Sequence, residues 1–437
     1  MNNSCAMVRR PAGVAFMGLS LEQFQHAAIW LMLVCSFFVI VEPAPSDLLF
    51  VVVLALFLTS GLSVSSAVAP LLLFLVFYNL GAFLSYLQIV EDSKARMFVV
   101  TSTYMAASAV FFAFYVTHDP EARMALIKNA LVIAATAGAV LALVGMANIW
   151  GLGKLLTLYG RAVGTFKDPN VFATYLLLPA VMLVQGFLLG TQRHKLLSMM
   201  SLLVIIGGLF FAFSRGAWIS FIAASVLMTA LTFILTPSQA LRSRIILLTI
   251  LGVAGAAVLI TLLLSVDEIR DQFMDRFTLV KSYDAGETGR FGNQLNSIPL
   301  LLQNPLGFGP LQFHLIFGQD AHNSFINAFS SYGWMGGISY FLLVISTVII
   351  GFKAVLMRTP WQSSAIVVFC PLFTTLCQGI QIDTDHWRHL YLMMGLMWGL
   401  YAASLAYGTR RQENLHAATL RHPENRSQLG LSLLRHR

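Results

Sequence analysis

Hydrophobic residues occur along this chain in long runs, which are separated by short polar segments that carry most of the charge. A helix satisfies its own backbone hydrogen bonds within such a run, and about 20 residues are enough to cross the hydrocarbon core of a bilayer. The pattern therefore predicts an all-α polytopic membrane protein with about twelve transmembrane helices. These helices are expected near residues 24–41, 47–62, 67–87, 97–117, 125–147, 171–189, 196–213, 216–235, 244–265, 334–352, 362–381 and 389–407.

One polar connector, residues 266–333, is much longer than the others. It begins with a stretch, 266–280, in which apolar residues such as Ile269 and Phe273 recur at helical spacing among charged ones, which indicates an amphipathic helix. A glycine-containing break and a second short helix are expected to follow. The connector is too short to be an independent domain, so we predict a single integral membrane domain over residues 1–437 that contains it.

The composition excludes a water-soluble enzyme, because 57% of the residues are hydrophobic and only 11% are charged, whereas soluble domains have about 25% charged residues. The net charge is +8. The positive residues lie in pairs between apolar runs, which favours a role in membrane topology over nucleic-acid binding. The positive-inside rule then predicts that both termini and the basic tail 408–437 are cytoplasmic, and that the connector 266–333 is external.

Among the arginines on the predicted outer side, where the positive-inside rule does not account for them, three are candidates for a binding site: Arg161, Arg215 and Arg290. Arginine stays charged and binds phosphate oxygens with two parallel hydrogen bonds, and the attraction strengthens where water is partly excluded. If they converge, they would form a site for the phosphate or diphosphate of a lipid. Each also has a structural interpretation: Arg161 and Arg290 could snorkel or pair with a nearby Asp, and Arg215 could anchor a helix end.

The segment before the sixth predicted helix adds Lys167, Asp168 and Asn170. Asp or Asn ahead of a helix accepts hydrogen bonds from its first amides. Asp168 and Asn170 are therefore interpreted either as a helix cap or as ligand contacts, and Lys167 is a further candidate cation.

His322 is the candidate general base among the few external histidines. It lies in the segment 321–325, where the long connector meets the membrane. An imidazole that titrates near neutral pH can take the proton of a sugar hydroxyl, and a structural role is the alternative. The predicted helices hold almost no ionisable residues at mid-depth, which argues against an ion-coupled transporter. A flippase for a lipid-linked glycan is still compatible with the sequence.

The last external connector contains Asp383, Asp385, His386 and Arg388. Asp383 and Asp385 could form the acidic pair of a metal-dependent glycosyltransferase. Alternatively, Asp385 could orient His386 or pair with Arg388, or the cluster could cap the last helix at the membrane interface.

Five segments keep a fixed order across about residues 150–400. They are GTFKDPNVFA at 164–173, SRGA at 214–217, NPLGFG at 304–309, AHNSF at 321–325 and GWMGG at 333–337. This ordered set resembles the O-antigen ligase/polymerase superfamily of bacterial envelope glycosyltransferases. The first 150 residues resemble it only as generic membrane spans.

The resemblance implies a GT-C-type membrane glycosyltransferase in the bacterial inner membrane, with its active site facing the periplasm. Its donor would be a glycan on undecaprenyl diphosphate, and its acceptor a sugar of the lipid A–core oligosaccharide. We therefore predict an O-antigen ligase that inverts the anomeric centre and uses neither a metal nor a cofactor. A polysaccharide polymerase and a protein O-oligosaccharyltransferase are the alternatives within the superfamily.

Residue by residue, the resemblance implies that His322 is the general base and that Arg215 and Arg290 bind the diphosphate, with Arg161 as an addition. It lowers the weight of the metal interpretation of the last connector, and no residue is assigned to a metal. The supporting candidates are Lys167, Asp168, Asn170, Asn323, Asp385, His386 and Arg388.

Overall fold

The computed structural model describes residues 20–60, 64–277 and 289–421. Within these residues, the chain forms a series of α-helices and one short antiparallel hairpin. The helices are α1 Leu21–Val34, α2 Pro45–Ser60, α3 Ala69–Tyr86, α4 Ser93–His118, α5 Pro120–Met146, α6 Gly153–Leu156, α7 Pro169–Tyr175, α8 Leu177–Leu189, α9 Lys195–Phe211, α10 Arg215–Leu235, α11 Gln239–Leu264, α12 Asp267–Phe277, α13 Arg290–Gln303, α14 Phe313–Phe317, α15 Ser324–Leu356, α16 Gln362–Gln378 and α17 Arg388–Arg421. The hairpin strands are β1 Thr157–Leu158 and β2 Arg161–Ala162.

Eight helical segments in the described part of the chain are long and apolar enough to cross a membrane. They are Ser66–Tyr86, Ser93–His118, Pro120–Met146, Pro169–Leu189, Arg215–Leu235, Gln239–Leu264, Ser324–Leu356 and Arg388–Asn414. Three further apolar helices are shorter, namely Pro45–Thr59, Lys195–Phe211 and Gln362–Gln378. The predicted helical, multi-pass membrane protein is therefore confirmed, while the count of twelve spans and the GT-C architecture stay predictions.

The chain divides into two compact units. The described residues of the first unit are 20–60, 125–183 and 192–214, and those of the second are 64–124, 184–191, 215–277 and 289–421. The first unit contains the hairpin, and the second contains the long connector and α15. The single membrane domain over residues 1–437 stays a prediction.

In the first unit, the predicted span 24–41 is longer than the helix that forms. Helix α1 ends at Val34, because the chain beyond it bonds to another segment. The Val39 N–H donates to the Thr165 carbonyl oxygen at 3.2 Å, and the Thr165 hydroxyl donates to the Phe37 carbonyl oxygen. The apolar pattern cannot reveal such an exchange of hydrogen-bond partners.

In the second unit, the predicted parts of the long connector form as short helices. Helix α12 covers most of the amphipathic stretch 266–280, and α13 is the expected second short helix. The break between them lies largely in residues 278–288, outside the described residues. The same holds for residues 422–437 of the predicted tail, whereas residues 408–421 continue helix α17.

Helix α15 is broken at Gly333, and the long connector supplies the hydrogen-bond partners that are missing there. Gly333 has φ 65° and ψ −169°, which is not helical. The Trp334 N–H would bond to the Ser330 carbonyl oxygen in a continuous helix, but it donates to the Pro305 carbonyl oxygen at 2.8 Å, and the Ser330 oxygen accepts from the Phe308 N–H at 2.8 Å. The NPLGFG segment therefore replaces one turn of helix, and it fixes the short half-helix that starts at residue 324.

The break requires glycine at two positions. Gly333 and Gly307 both have positive φ angles, of 65° and 71°. A Cβ atom on Gly333 would lie 2.5 Å from the Pro305 carbonyl oxygen, and one on Gly307 would lie 2.4 Å from the Ser330 carbonyl oxygen. Two of the sequence motifs, NPLGFG and GWMGG, are thus explained by a single contact between them.

We expect Gly333→Ala to destabilise the protein by about 1–3 kcal/mol, since the side chain both strains the backbone and collides with the connector. Thermal unfolding in detergent measures this loss. Gly252→Ala in α11 is the matched control, because no atom lies within 4 Å of the added methyl group and helical Ala is favoured over Gly. Equal melting temperatures for the two variants would contradict the role of the break.

Candidate active site

His322 lies where the connector meets α15, in a conformation that is uncommon for a residue with a side chain. Its φ is 47°, and such left-handed conformations cluster at functional sites. The next residue, Asn323, begins the helix, because its side-chain oxygen accepts hydrogen bonds from the Phe325 and Ile326 N–H groups at 3.0 and 3.1 Å. The supporting candidate Asn323 is therefore the cap of the half-helix that carries His322.

The carboxylate of Asp383 holds the His322 turn from the last connector. Asp383 Oδ2 accepts a hydrogen bond from the His322 N–H at 3.0 Å, and Oδ1 accepts one from the Asn323 N–H at 2.8 Å. The same Oδ2 atom lies 3.9 Å from Nδ1 of the His322 imidazole. The acid thus faces Nδ1, and Nε2 is the ring nitrogen left to meet a substrate, on a side chain that is 39% exposed.

Gln294 on α13 holds the carbonyl side of the same turn. Its Nε2 donates to the Ala321 carbonyl oxygen at 2.9 Å and to the His322 carbonyl oxygen at 3.2 Å, and its side chain is buried. Asp383 therefore binds the N–H of the strained residue and Gln294 binds its C=O. We call these two side chains the His322 clamp.

Further hydrogen bonds tie the last connector to the start of α15. The Ser324 N–H donates to the Gly379 carbonyl oxygen at 2.7 Å, and the Thr384 N–H donates to the Ser324 hydroxyl oxygen at 2.7 Å. These bonds place Asp383, one residue before Thr384, beside the His322 turn.

Arg215 and Arg290 border the same connector from different helices. Arg290 is the first residue of α13, and its Nη1 donates to the Gln381 carbonyl oxygen at 3.4 Å. Arg215 is the first residue of α10, and the following Gly216 packs against the side chain of Gln378 at the end of α16. The connector begins directly after Gln378, so α10 starts near the beginning of the segment that contacts Arg290 and His322.

Asp385 points away from Asp383, into the helices. Its Oδ2 accepts hydrogen bonds from Asn327 Nδ2 at 2.9 Å and from the Tyr78 hydroxyl at 3.3 Å, and its carbonyl oxygen accepts one from the Tyr391 hydroxyl at 2.9 Å. The two carboxylates of the candidate metal pair therefore have different partners. Asp385 ties the connector to three helices, since Tyr78 lies on α3, Asn327 on α15 and Tyr391 on α17.

His386 and Arg388 occupy the end of the connector. The His386 ring stacks on Phe98 with centroids 3.9 Å apart and planes 5° apart, so Asp385 bonds to other groups and does not orient it. Burial, and then the positive charge of Arg388, lower the pKa of His386 to about 3. A histidine that stays neutral at physiological pH is suited to packing here, and Arg388 begins α17.

Burial dominates the ionisation of the two connector carboxyls. It raises the pKa of Asp385, and the negative charge of Asp383 raises it further. Burial also raises the pKa of Asp383, although the charge of His322 acts in the opposite direction. A raised pKa in the folded state means that the folded protein holds the proton more tightly, so the contribution to stability is full at low pH and is lost as the pH rises through the folded pKa.

We therefore expect the Asp385→Asn protein to lose less stability than wild type when the pH is raised. An amide oxygen can accept the same bonds from Asn327 and Tyr78 without any charge, and the second carboxylate oxygen, Oδ1, is buried without a partner among the described residues. Melting temperatures in detergent should be similar for variant and wild type at about pH 5 and higher for the variant at about pH 9. Identical pH dependences would show that Asp385 is not buried as a carboxyl.

The first unit holds Arg161 in a helix-end contact. Arg161 Nε donates to the carbonyl oxygen of Ala212, the C-cap of α9, at 2.8 Å, and Nη2 donates to Asn170 Oδ1 at 2.8 Å. Asn170 Oδ1 also accepts from the Ser214 hydroxyl at 2.9 Å. A cation at the C-terminal end of a helix is favourable, so Arg161 and Asn170 together tie the hairpin to the chain on both sides.

The neighbouring candidates have structural partners in the same unit. Asp168 caps α7, because its Oδ1 accepts from the Asn170 and Val171 N–H groups at 2.7 and 3.1 Å. Lys167 forms an ion pair with Glu42 at 2.8 Å, and both side chains are about half exposed. The cap interpretation of Asp168 is the one that the contacts support.

Sequence reasoning missed both members of the His322 clamp. From the sequence, Asp383 is interpreted as a metal ligand or as part of an interfacial cap, and Gln294 is not a candidate. One signal was present for Gln294: it lies four residues after Arg290 and therefore on the same face of α13. Asp383 offered no such signal, since its partner is 61 residues away in the chain.

Apolar helices long enough to cross a membrane, with a clamped histidine and two arginines at one connector, define a multi-pass membrane protein with a polar site at the ends of its helices. The family model described as O-antigen ligase matches residues 199–341. This match supports the resemblance to the O-antigen ligase superfamily and is consistent with a membrane glycosyltransferase-like enzyme. The matched range includes Arg215, Arg290 and His322, and excludes Arg161 and Asp383. No curated protein matches the sequence.

Proposed function

We propose that the protein is an O-antigen ligase, which transfers a glycan from undecaprenyl diphosphate to a sugar of the lipid A–core oligosaccharide at the periplasmic face of the inner membrane. The observation that carries the proposal is the clamped His322. Its main-chain N–H donates to Asp383, its Nδ1 lies 3.9 Å from the same carboxylate, and the connector that contains Asp383 also contacts Arg290. The family match supports the lipid-linked glycan and the lipid A–core acceptor in general terms.

The proposed reaction is a single displacement at the anomeric carbon. The acceptor hydroxyl oxygen forms a bond to this carbon on the face opposite the diphosphate, and the bond between the carbon and the phosphate oxygen breaks. The bonding electrons go to the leaving oxygen, and the hydroxyl proton goes to Nε2 of His322. One displacement inverts the anomeric configuration.

Arg215 and Arg290 are proposed to stabilise the charge that develops on the leaving diphosphate. Preset cations at the position of developing charge are among the largest contributions to catalysis, because they need no reorganisation during the reaction. Asp383 would stabilise the protonated imidazole and keep Nε2 directed at the acceptor. The reaction is then balanced without a nucleotide or a metal.

An acceptor-swap assay tests the ligase assignment. The purified protein receives a glycan on undecaprenyl diphosphate together with either lipid A–core or additional lipid-linked glycan. Transfer to lipid A–core, with free undecaprenyl diphosphate released in step, is the expected result. Transfer only to lipid-linked glycan would instead identify a polymerase, and movement of the donor across a vesicle membrane without bond cleavage would identify a flippase. Activity lost in a chelator and restored by a divalent ion would overturn the metal-independent mechanism.

We expect Arg290→Ala to weaken binding of undecaprenyl diphosphate about 10- to 100-fold, which corresponds to the loss of one or two charge-assisted hydrogen bonds. Arg290→Lys should recover only part of this, since an ammonium cannot form the two-pronged contact. Titration with labelled undecaprenyl diphosphate in detergent measures the dissociation constants.

Arg270→Ala is the matched control for Arg290. Arg270 lies on α12, in the same long connector as Arg290, and pairs with Asp267 at 2.7 Å on an exposed surface. Its loss should therefore leave diphosphate binding unchanged. A comparable effect of both variants would mean that general positive charge, and not a defined site, attracts the diphosphate.

A further inference from the structure

Helix α13 buries polar side chains and exposes apolar ones. Asn293, Gln294 and Ser297 are buried. Four exposed apolar residues recur at intervals of four, three and four, which places them on one side of the helix. They are Phe291, Leu295, Ile298 and Leu302, and between 45% and 69% of each is exposed. We call these four residues the α13 stripe.

The buried polar residues of α13 bind neighbouring parts of the long connector. Gln294 Nε2 donates to the carbonyl oxygens of Ala321 and His322 at 2.9 and 3.2 Å. Asn293 Nδ2 donates to the carbonyl oxygen of Phe317, the last residue of α14, at 3.1 Å. These bonds fix the rotation of α13 about its axis. The exposure of the α13 stripe is therefore a property of the fold and does not depend on the conformation of one side chain.

The α13 stripe continues the exposed apolar surface of α15. Trp334, the first residue after the break in α15, donates from Nε1 to the Leu301 carbonyl oxygen at 2.9 Å, and Leu301 directly precedes Leu302 of the stripe. Beyond Trp334, α15 exposes Ile338 and Phe341, in a helix that is long and apolar enough to cross a membrane. The end of α13 therefore lies beside the first turn of a spanning segment, a level at which tryptophan is enriched.

The part of the connector that contains α13 carries almost no charge. Arg290 is the only Asp, Glu, Lys or Arg between residues 289 and 319, whereas soluble domains have about 25% charged residues. Helix α12, in the same long connector, has the highly charged sequence DEIRDQFMDRF. A nearly uncharged external segment with a contiguous exposed apolar stripe is typical of contact with lipid, whereas the charges of α12 favour water.

We infer that α13 lies in the boundary of the bilayer, with the α13 stripe among the acyl chains of the outer leaflet. The occupant is ordinary membrane lipid, so the inference does not depend on the proposed function. The stripe extends about 16 Å along the helix. The exposed polar residues Asn296 and Gln303 lie about a third of a turn away from it, on a side that can face water. Because Gln294 is on the same helix, the bilayer supports one half of the His322 clamp.

Spin labels in the full-length protein test this inference. The four native cysteines are replaced by alanine, and a label is attached after Leu295→Cys in the α13 stripe or, as the matched control, after Gln272→Cys at an exposed position of α12. Both proteins are placed in nanodiscs of phosphatidylethanolamine and phosphatidylglycerol. The label at 295 should collide mainly with oxygen, which dissolves in lipid, and the label at 272 mainly with a water-soluble nickel chelate. Equal access of the nickel chelate to both labels would overturn the inference.

A photoreactive lipid provides a second measurement on the unsubstituted protein. Phosphatidylethanolamine with a diazirine in one acyl chain is activated in the same nanodiscs, and the modified residues are located by mass spectrometry. The α13 stripe should be modified together with Ile338 and Phe341 of α15. Modification of these two residues without the stripe would contradict the inference. Dipolar broadening between two labels at position 295 would also overturn it, because a second copy of the chain would then cover the stripe.

Discussion

Replacing His322 with Asn is expected to lower glycosyl transfer by about 10²- to 10⁴-fold, the contribution typical of a positioned general base. Asn is the informative substitution, because it tolerates the left-handed backbone that His322 adopts at φ 47°. The clamp bonds to the main chain of residue 322 can therefore persist, and only the imidazole is lost. Binding of undecaprenyl diphosphate should be unchanged, because the arginines are untouched.

His314→Asn is the matched control for this experiment. His314 lies on α14 in the same connector and is exposed, so its substitution should leave turnover at the wild-type rate. Single-turnover measurements with saturating donor separate the chemical step from binding. Near-normal turnover of the His322→Asn protein would remove the base from the mechanism.

Asp383→Asn is the second substitution with a large expected effect, a loss of turnover of about 10²-fold or more, as when the acid behind a catalytic histidine is made neutral. In wild type, each Asp383 oxygen accepts one hydrogen bond, from the His322 N–H or the Asn323 N–H. The Asn amide can accept only one of these bonds through its oxygen, and its NH₂ group faces the second N–H. It also removes the negative charge that lies 3.9 Å from Nδ1. We expect kcat to fall while the donor dissociation constant is retained.

Asp320→Asn provides the comparison for Asp383. Asp320 is exposed and lies two residues before His322, so it tests whether any nearby negative charge has the same effect. Loss of turnover in both variants would indicate a general field, and loss in neither would show that the clamp positions the chain without serving the reaction.

Most of the helical framework could be predicted from the sequence, because about 20 apolar residues in a run have few alternatives in a membrane. The exceptions are places where distant segments exchange hydrogen bonds. The predicted span 334–352 missed the half-helix before Gly333, since the pattern cannot show that Pro305 and Phe308 supply the missing partners. Helix α1 is shorter than predicted for the same kind of reason, the contact of Val39 with Thr165.

In the candidate site, too, residues that stand out within their own segment could be predicted, and residues whose partners are distant in the chain could not. Arg215 and Arg290 stand out because the positive-inside rule does not explain arginine on the outer side, and His322 stands out because it lies where the long connector meets the membrane. The clamp residues Asp383 and Gln294 lie 61 and 28 residues from His322, and neither is unusual for its surroundings. For Asp168 the sequence offers the cap as one of two interpretations, because the bonds that define a cap span only three residues.

The way the connector replaces one turn of α15 restricts how enzymes of this kind can be recombined. A chimera that received a foreign long connector but kept its own α15 would leave the Trp334 N–H and the Ser330 carbonyl oxygen without their matched partners. The half-helix that follows His322 would then no longer be held in place. Segments 289–333, the first turns beyond Gly333 and the last connector, which binds the main chain of His322 and Asn323, therefore have to be exchanged together.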